Sequence, residues 1–376
     1  MKKIVGIFAA AAVLATSVFA ADLTAGVRLE GDLFNYNGTS ESAKALMLKN
    51  ANHFWQAPLT LTISDDRAGG TFKFTDNESN AFETGKWAIW FKPMDMLKVN
   101  LGTIDKSMNV ETIDYGGRLI NYDSFGASLD VNVDAFSMTF SVVSGNGTYW
   151  FQDGKAQKAA DGEKKAAALK EANDLLKKVA PDEAMSDDEL KAAQEAAKAA
   201  ALAGDDPDAT VGEFNVYAQY AADFGTISAM FDAKNTFKDL AFGAGYKNTF
   251  DPLTIFADVA FYKGDKVNGL GVDADVVFAQ DALNAQAYVQ WKASDIENIK
   301  KETMTLLALA KVSYTLDAGT VYLYFKDANL MADDFSCTIK PGFTSKVSIM
   351  DYEIAAQFDI AKKVNISVPV NFKVNF

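Results

Sequence analysis

Apolar and polar residues alternate one for one along most of this chain, over stretches longer than an ordinary strand needs. Leu23, Ala25, Val27, Leu29, Gly31 and Leu33 interleave with Asp22, Thr24, Gly26, Arg28, Glu30 and Asp32. Leu270, Val272, Ala274, Val276 and Phe278 repeat the pattern around Asp273 and Asp275, and VNISVPVNFKVNF carries it to Phe376. A period of two puts alternate side chains on opposite faces of a strand, so these segments are strands with one apolar and one polar face. Strands of a soluble sandwich run to about 5–6 residues. Those here approach the roughly 9–11 that cross a bilayer at a tilt. Lipid offers no partner to a backbone N–H or C=O, so spanning strands must close into a barrel with no free edge. Outer residues are then apolar and inner ones polar. The polar set includes Arg28, Glu30, Lys86, Lys98, Asp130, Asp273, Asp275 and Lys311. It is too hydrophilic for a dry core and fits a water-filled or loop-filled lumen. The expected fold class is all-β: a transmembrane antiparallel β-barrel of about 18 strands, with about 16 as the alternative.

The connections have a phase. Counted from Leu23, those after even strands are short: 64–69, 93–96, 132–135, 222–225, 248–252, 280–282 and 317–319. Most of those after odd strands are longer: 35–52, 105–120, 145–211 and 292–302. Short turns on one rim and long loops on the other are the arrangement of outer-membrane barrels, with the long side extracellular. The larger count requires two weak segments, 71–75 and 335–340, to be strands. From 155 to 203 the alternation stops and the composition turns to Ala, Lys, Glu and Asp. Pro181 divides this region, Ser186 with Glu189 makes a capping-box signal, and Gly204 can end a helix. An inserted α-helical segment is expected in the loop after strand 7, either extracellular or folded into the lumen.

The first 20 residues, MKKIVGIFAAAAVLATSVFA, have the basic start, apolar middle and small-residue end of a secretory signal peptide. The expected plan is a leader over 1–20 and a barrel over 21–376, with the helical insertion at 155–203. Beyond the leader no apolar run is long enough for a spanning helix. Cys337 is the single cysteine, which excludes an intramolecular disulfide, and His53 is the single histidine, which leaves His-based catalysis or a multi-histidine metal site without material. No enzymatic function, cofactor or metal is expected. A formal charge of −14 argues against nucleic acid, whose phosphates need a basic footprint. Acids and bases nearly balance on the polar faces, so the excess acidity belongs to loops and turns.

Leader, alternating strands, phased loops and terminal aromatic together resemble the bacterial outer-membrane porins of the general type. In that family the final alternating strand ending in Phe is similar to the signal read by the barrel-assembly machinery, and Phe372, Val374 and Phe376 stand at its positions. The resemblance implies an integral protein of the outer membrane, surrounded by its lipid. It implies a water-filled channel for passive diffusion of small hydrophilic solutes or ions, and a trimer is common among such proteins. The pore-lining candidates are Arg28, Glu30, Lys86, Lys98, Asp130, Asp273, Asp275 and Lys311. Arg28, Lys86 and Lys98 come from the first half of the wall and Asp273 and Asp275 from the second, as a transverse field across the lumen would require. The pattern departs from the family at one point. General porins fold a loop into the lumen after the fifth strand; the matching connection here, 105–120, is short, and the large insertion follows strand 7. The alternative function is a surface adhesin or structural barrel that binds a partner through the helical insertion.

Overall fold

The computed structural model describes residues 20–50, 59–76, 82–108, 119–144, 213–234, 237, 239–264 and 268–375. Of the leader expected over 1–20 all but Ala20, the helical insertion expected over 155–203, and Phe376 lie outside the described residues. The elements in order are β1 (Ala20–Asn37), β2 (Ser42–Asn50), β3 (Leu59–Ser64), β4 (Ala68–Asp76), β5 (Phe82–Met94), β6 (Leu97–Ser107) and β7 (Asn121–Val133). Then come β8 (Phe136–Ser144), β9 (Glu213–Ala222), β10 (Gly225–Lys234), β11 (Asp239–Phe250), β12 (Leu253–Lys263), β13 (Asn268–Gln280) and β14 (Leu283–Ala293). Last are β15 (Met304–Leu316), β16 (Gly319–Asp327), β17 (Cys337–Val347), β18 (Met350–Ala355), β19 (Gln357–Ile360) and β20 (Val364–Asn375). Among the described residues the one helical element is a 3-10 turn, Lys301–Thr303.

All twenty strand segments belong to one antiparallel sheet in which most sequence neighbours pair. β1 pairs with β2 along 29–37 and with β3 along 20–25, so β2 and β3 follow each other at one position. β18 and β19 likewise share the position between β17 and β20. The twenty segments therefore fill eighteen positions. β4 covers the weak segment 71–75, and β17 takes in 337–340 of the other, so both are strands. Pairing also runs from β20 back to β1, with Asp32 opposite Pro369 and a register shift between Asp32 and Asn35. Proline has no N–H to give to the ladder, and the irregularity falls beside it.

One connection differs from expectation. A long loop was expected over 35–52, but the chain turns back at once over 38–41 and Ser42–Asn50 pairs with β1. Its sequence, SAKALMLKN, blurs the alternation, and Leu46 breaks it locally with a φ of 55° and 73 % exposure. The register with β1, its hairpin partner, makes it a strand. The phase of the connections otherwise holds. Turns 95–96, 134–135, 223–224, 251–252, 281–282, 317–318 and 348–349 have two residues each and fall on one rim. Asp134, Asp281 and Ser348 open three of them with φ of 51°, 52° and 56°. A two-residue hairpin needs that left-handed conformation, and Asp tolerates it well.

The exposure pattern is inverted relative to a soluble protein. Val259, Val272 and Val289 are 41 %, 42 % and 47 % exposed, while their chain neighbours Asp258, Asp273 and Gln290 are 4 %, 2 % and 3 % exposed. Phe231 and Phe242 meet on the apolar face, 5.1 Å between ring centroids. An apolar band facing outward and a polar set facing inward fit lipid outside and protein or water inside.

Candidate functional site

On the inner face of β9 to β14 the pairing arranges side chains in rows. Ser228, Gly245, Asp258, Asp273 and Gln290 make one row across five strands. Met230, Gly243, Ala260, Gly271 and Lys292 make the next. Asp273 and Asp275 are brought together here, and both are buried. Asp273 Oδ2 accepts hydrogen bonds from the Tyr288 hydroxyl at 3.1 Å and Gln290 Nε2 at 3.2 Å. Asp275 Oδ2 accepts one from Gln286 Nε2 at 2.6 Å. Buried carboxylates need such donors, since burial removes the water that otherwise satisfies them. Further along the same inner face, Lys234 Nζ stands 3.2 Å from Glu213 Oε1 and 3.9 Å from Asp232 Oδ2, all three buried.

The two ends of the connection between β6 and β7 pack on the same inner face. Met108, Leu119 and Ile120 are 1 %, 2 % and 1 % exposed. They form one apolar cluster with Ile104, Val143, Tyr217, Met230, Ala241, Ala260 and Tyr262. The Met108 N–H donates to the Ile120 carbonyl at 3.0 Å, which draws the two ends of the connection into a neck. The Tyr262 hydroxyl donates to the Leu119 carbonyl. A Cβ built on Gly243 would overlap Met108 Sδ and lie 2.9 Å from Ile120 Cδ1. β6 and β12 stand six positions apart in the sheet, so contact between them is made across the interior. The two ends of the short connection after the fifth strand position, Met108 and Leu119–Ile120, therefore lie on the inner face.

The rest of the inner face differs in exposure. Glu30, Lys86, Lys98, Asp130 and Lys311 are all half-buried. Lys98 pairs across the ladder with Asp130, which accepts from Asn100 Nδ2 at 2.9 Å and Thr139 Oγ1 at 2.8 Å. Lys98 and Lys92 reach over the Trp90 ring, 5.0 and 5.5 Å from its centroid. Lys311 and Lys340 flank the Tyr322 ring at 4.9 and 5.8 Å, and the Tyr322 hydroxyl donates to Glu353. Lys340 Nζ is 2.7 Å from Glu353 Oε1. Glu30 joins this group around a cavity of about 200 Å³ that Gly31, Lys340, Glu353, Pro369, Val370 and Asn371 also line. Arg28 pairs in register with Lys373; its side chain lies outside the described residues. Phe372 and Val374 are half-buried on β20.

Lys340, Tyr322 and the neck residues escape a reading of the sequence. Lys340 precedes Pro341-Gly342, which interrupts the alternation, and Met108, Leu119 and Ile120 look like ordinary loop hydrophobics. The one available signal is the run of small inner residues, Ala241, Gly243 and Gly245, opposite nothing in the local sequence. Among the described residues no group of three or more His, Cys, Asp or Glu is arranged to hold a metal ion.

No protein-family model matches the chain, and no curated protein matches it. Solved structures do. OpdL of Pseudomonas aeruginosa aligns with a TM-score of 0.53 over 96 % of this chain and 98 % of its own, at 10 % identity. The outer membrane protein opdK of the same organism aligns with a TM-score of 0.52 over 94 % and 98 %, at 9 % identity. OccK2 (OpdF), also from Pseudomonas aeruginosa and solved in complex with glucuronate, aligns with a TM-score of 0.51 over 96 % and 98 %, at 8 % identity. Identities this low speak for the fold, and the fold this chain has is porin-like.

Proposed function

We propose that the chain is an integral outer-membrane porin, its eighteen strand positions closed into a barrel, and that small hydrophilic solutes and ions diffuse through its lumen. The observation that carries this is the inverted exposure: valines on the outside of β12 to β14, aspartates and glutamines on the inside of the same strands. The water-filled path runs beside the half-buried inner residues of β15 to β20 and β1 to β6, because the inner face of β9 to β14 is packed. That path carries Lys73, Lys86, Lys92, Lys98, Lys311, Lys326 and Lys340 against Glu30, Asp32, Asp130, Asp351, Glu353 and Asp359. Lysines lining a narrow aqueous path raise the local concentration of anions. A carboxylate such as glucuronate, found with the structural neighbour OccK2, is the kind of solute that such a wall favours.

Purified protein should insert into planar bilayers in discrete conductance steps. In a potassium chloride gradient its reversal potential should have the sign of chloride preference. Folded, heat-modifiable protein that never conducts would overturn the channel. Stepwise conductance with potassium preference would leave the channel and remove the lysine argument.

A further inference from the structure

We infer that the cavity beside Lys340, Glu353, Asn371 and Glu30 is a binding subsite for a polyhydroxylated solute, one sugar ring that need carry no charge. The inference rests on the channel reading above and adds a class of ligand that the lysine-lined path does not by itself select.

Three observations carry it. First, the polar groups are in register. Glu353 pairs with Asn371 on β20, and Asn371 pairs with Glu30 on β1, so a carboxylate, an amide and a carboxylate stand in one row on the inner face. Neighbouring strands lie about 4.8 Å apart, a spacing that lets one small ring reach more than one of these groups. Second, the row is held from one end. Glu353 Oε1 lies 2.7 Å from Lys340 Nζ and accepts from the Tyr322 hydroxyl, and Lys340 also stands over the Tyr322 ring at 5.8 Å. Both donors meet the same oxygen, which fixes the orientation of the carboxylate. Third, the wall is interrupted at this level. The Ala356 N–H donates to the Pro341 carbonyl at 2.9 Å, and Pro341 has no N–H for the return bond. Pro369 is likewise without one, and β1 shifts register between Asp32 and Asn35 beside it. β18 ends and β19 begins on either side of Ala356. Breaks of this kind re-aim side chains and gather next to functional sites. Pro369 itself lines the cavity.

The chemistry of the row selects the ligand. A cavity of about 200 Å³ has room for about seven waters at roughly 30 Å³ each, or for one sugar ring. A hydroxyl both donates and accepts. It can give its hydrogen to Glu353, Glu30 or the Asn371 amide oxygen, and it can accept from Lys340 or the Asn371 amide nitrogen. A bare carboxylate only accepts, and here it meets two carboxylates of like sign. A bare ammonium only donates, and here it meets Lys340. Acid, amide and acid beside a lysine therefore suit several hydroxyls on one small frame.

Equilibrium dialysis of radiolabelled glucose against the full-length, refolded protein in detergent tests this, with glucuronate as the second probe. Glucose should bind saturably and with the same affinity at low and high salt, because it has no charge to screen. Glu353→Gln keeps the shape, removes a charge-assisted acceptor and should weaken glucose binding about tenfold. Asn371→Leu fills the cavity and should abolish binding. Asp65→Asn, at a turn outside the cavity, should bind as the parent does. Glucose binding unchanged in both cavity variants would overturn the inference, and so would glucuronate binding without glucose binding, or folded protein that binds neither. Bilayer conductance of the same preparation separates the two readings. A parent that binds glucose and never conducts defeats the channel and leaves the subsite; a parent that conducts and binds no glucose defeats the subsite alone. If one cavity variant does not fold, the other carries the test.

Discussion

Asp65 illustrates how much a single side chain does where the strands turn. Its Oδ1 accepts the backbone N–H of Arg67 at 2.7 Å and of Ala68 at 2.6 Å, closing the turn between β3 and β4. Those two backbone donors hold its carboxyl below the usual carboxylate range. A carboxyl with a depressed folded-state pKa stabilises the fold above its unfolded value, near 3.9, and loses that contribution as pH falls through the folded value. The expected outcome is a titration of Asp65 below a model carboxylate in carboxyl-detected NMR. Asp65→Asn should reduce the pH dependence of stability in that acidic window and nowhere near neutrality. Asp333, with Lys301 beside it on the opposite rim, is held low in the same direction by a side-chain partner instead. Neither effect needs burial. Both belong to exposed connections whose local sequence, Asp-Asp-Arg in one case and Asp-Asp in the other, is legible as loop but not as bonding geometry.

Among the elements, β14 gives the sharpest contrast of faces. Val289 near its middle is 47 % exposed, whereas Tyr288 and Gln290 on either side are 1 % and 3 % exposed. If the exposed face meets hydrocarbon, a charge at mid-strand is costly and one at the rim is not. Val289→Arg should destabilise the folded protein by about 2–4 kcal/mol, and Leu316→Arg beside the turn at 317–318 by about 0–1 kcal/mol. Denaturant unfolding in lipid vesicles measures both, and equal costs at the two depths would contradict a lipid-facing band. The strands themselves were largely legible, because a period of two is a property of each segment alone. Ser42–Asn50 was not, since its small residues and Leu46 hide the period, and only the ladder with β1 makes it a strand. The segment over 155–203 keeps its helical signals in the sequence, and its structure lies outside the described residues.

At the scale of the whole molecule, the pairing of β20 with β1 joins the two ends of the sheet, so the last strand has a topological role as well as a chemical one. Phe372 and Val374 lie on that strand, opposite Leu29 and Val27 of β1. If the terminal alternation with Phe376 is an assembly signal, Phe376→Ala should lower the amount of folded protein at the cell surface while the molecules that do assemble conduct as the parent does. Surface labelling alongside bilayer recording separates the two effects; normal surface levels would count against the signal. Strands, their two faces, the phase of most turns and loops, and the near balance of charge on the inner face are all written in the chain. All of these follow from local periodicity and residue chemistry. Which inner residues are buried is settled by the fold. Asp273 and Asp275 share the alternation of Glu30 and Lys311, yet they are buried while the others are half-buried. Where chain-distant residues meet on that face the local pattern is silent, as where the Tyr262 hydroxyl donates to the Leu119 carbonyl. A contact between residues so far apart in the chain leaves no period in the sequence of either.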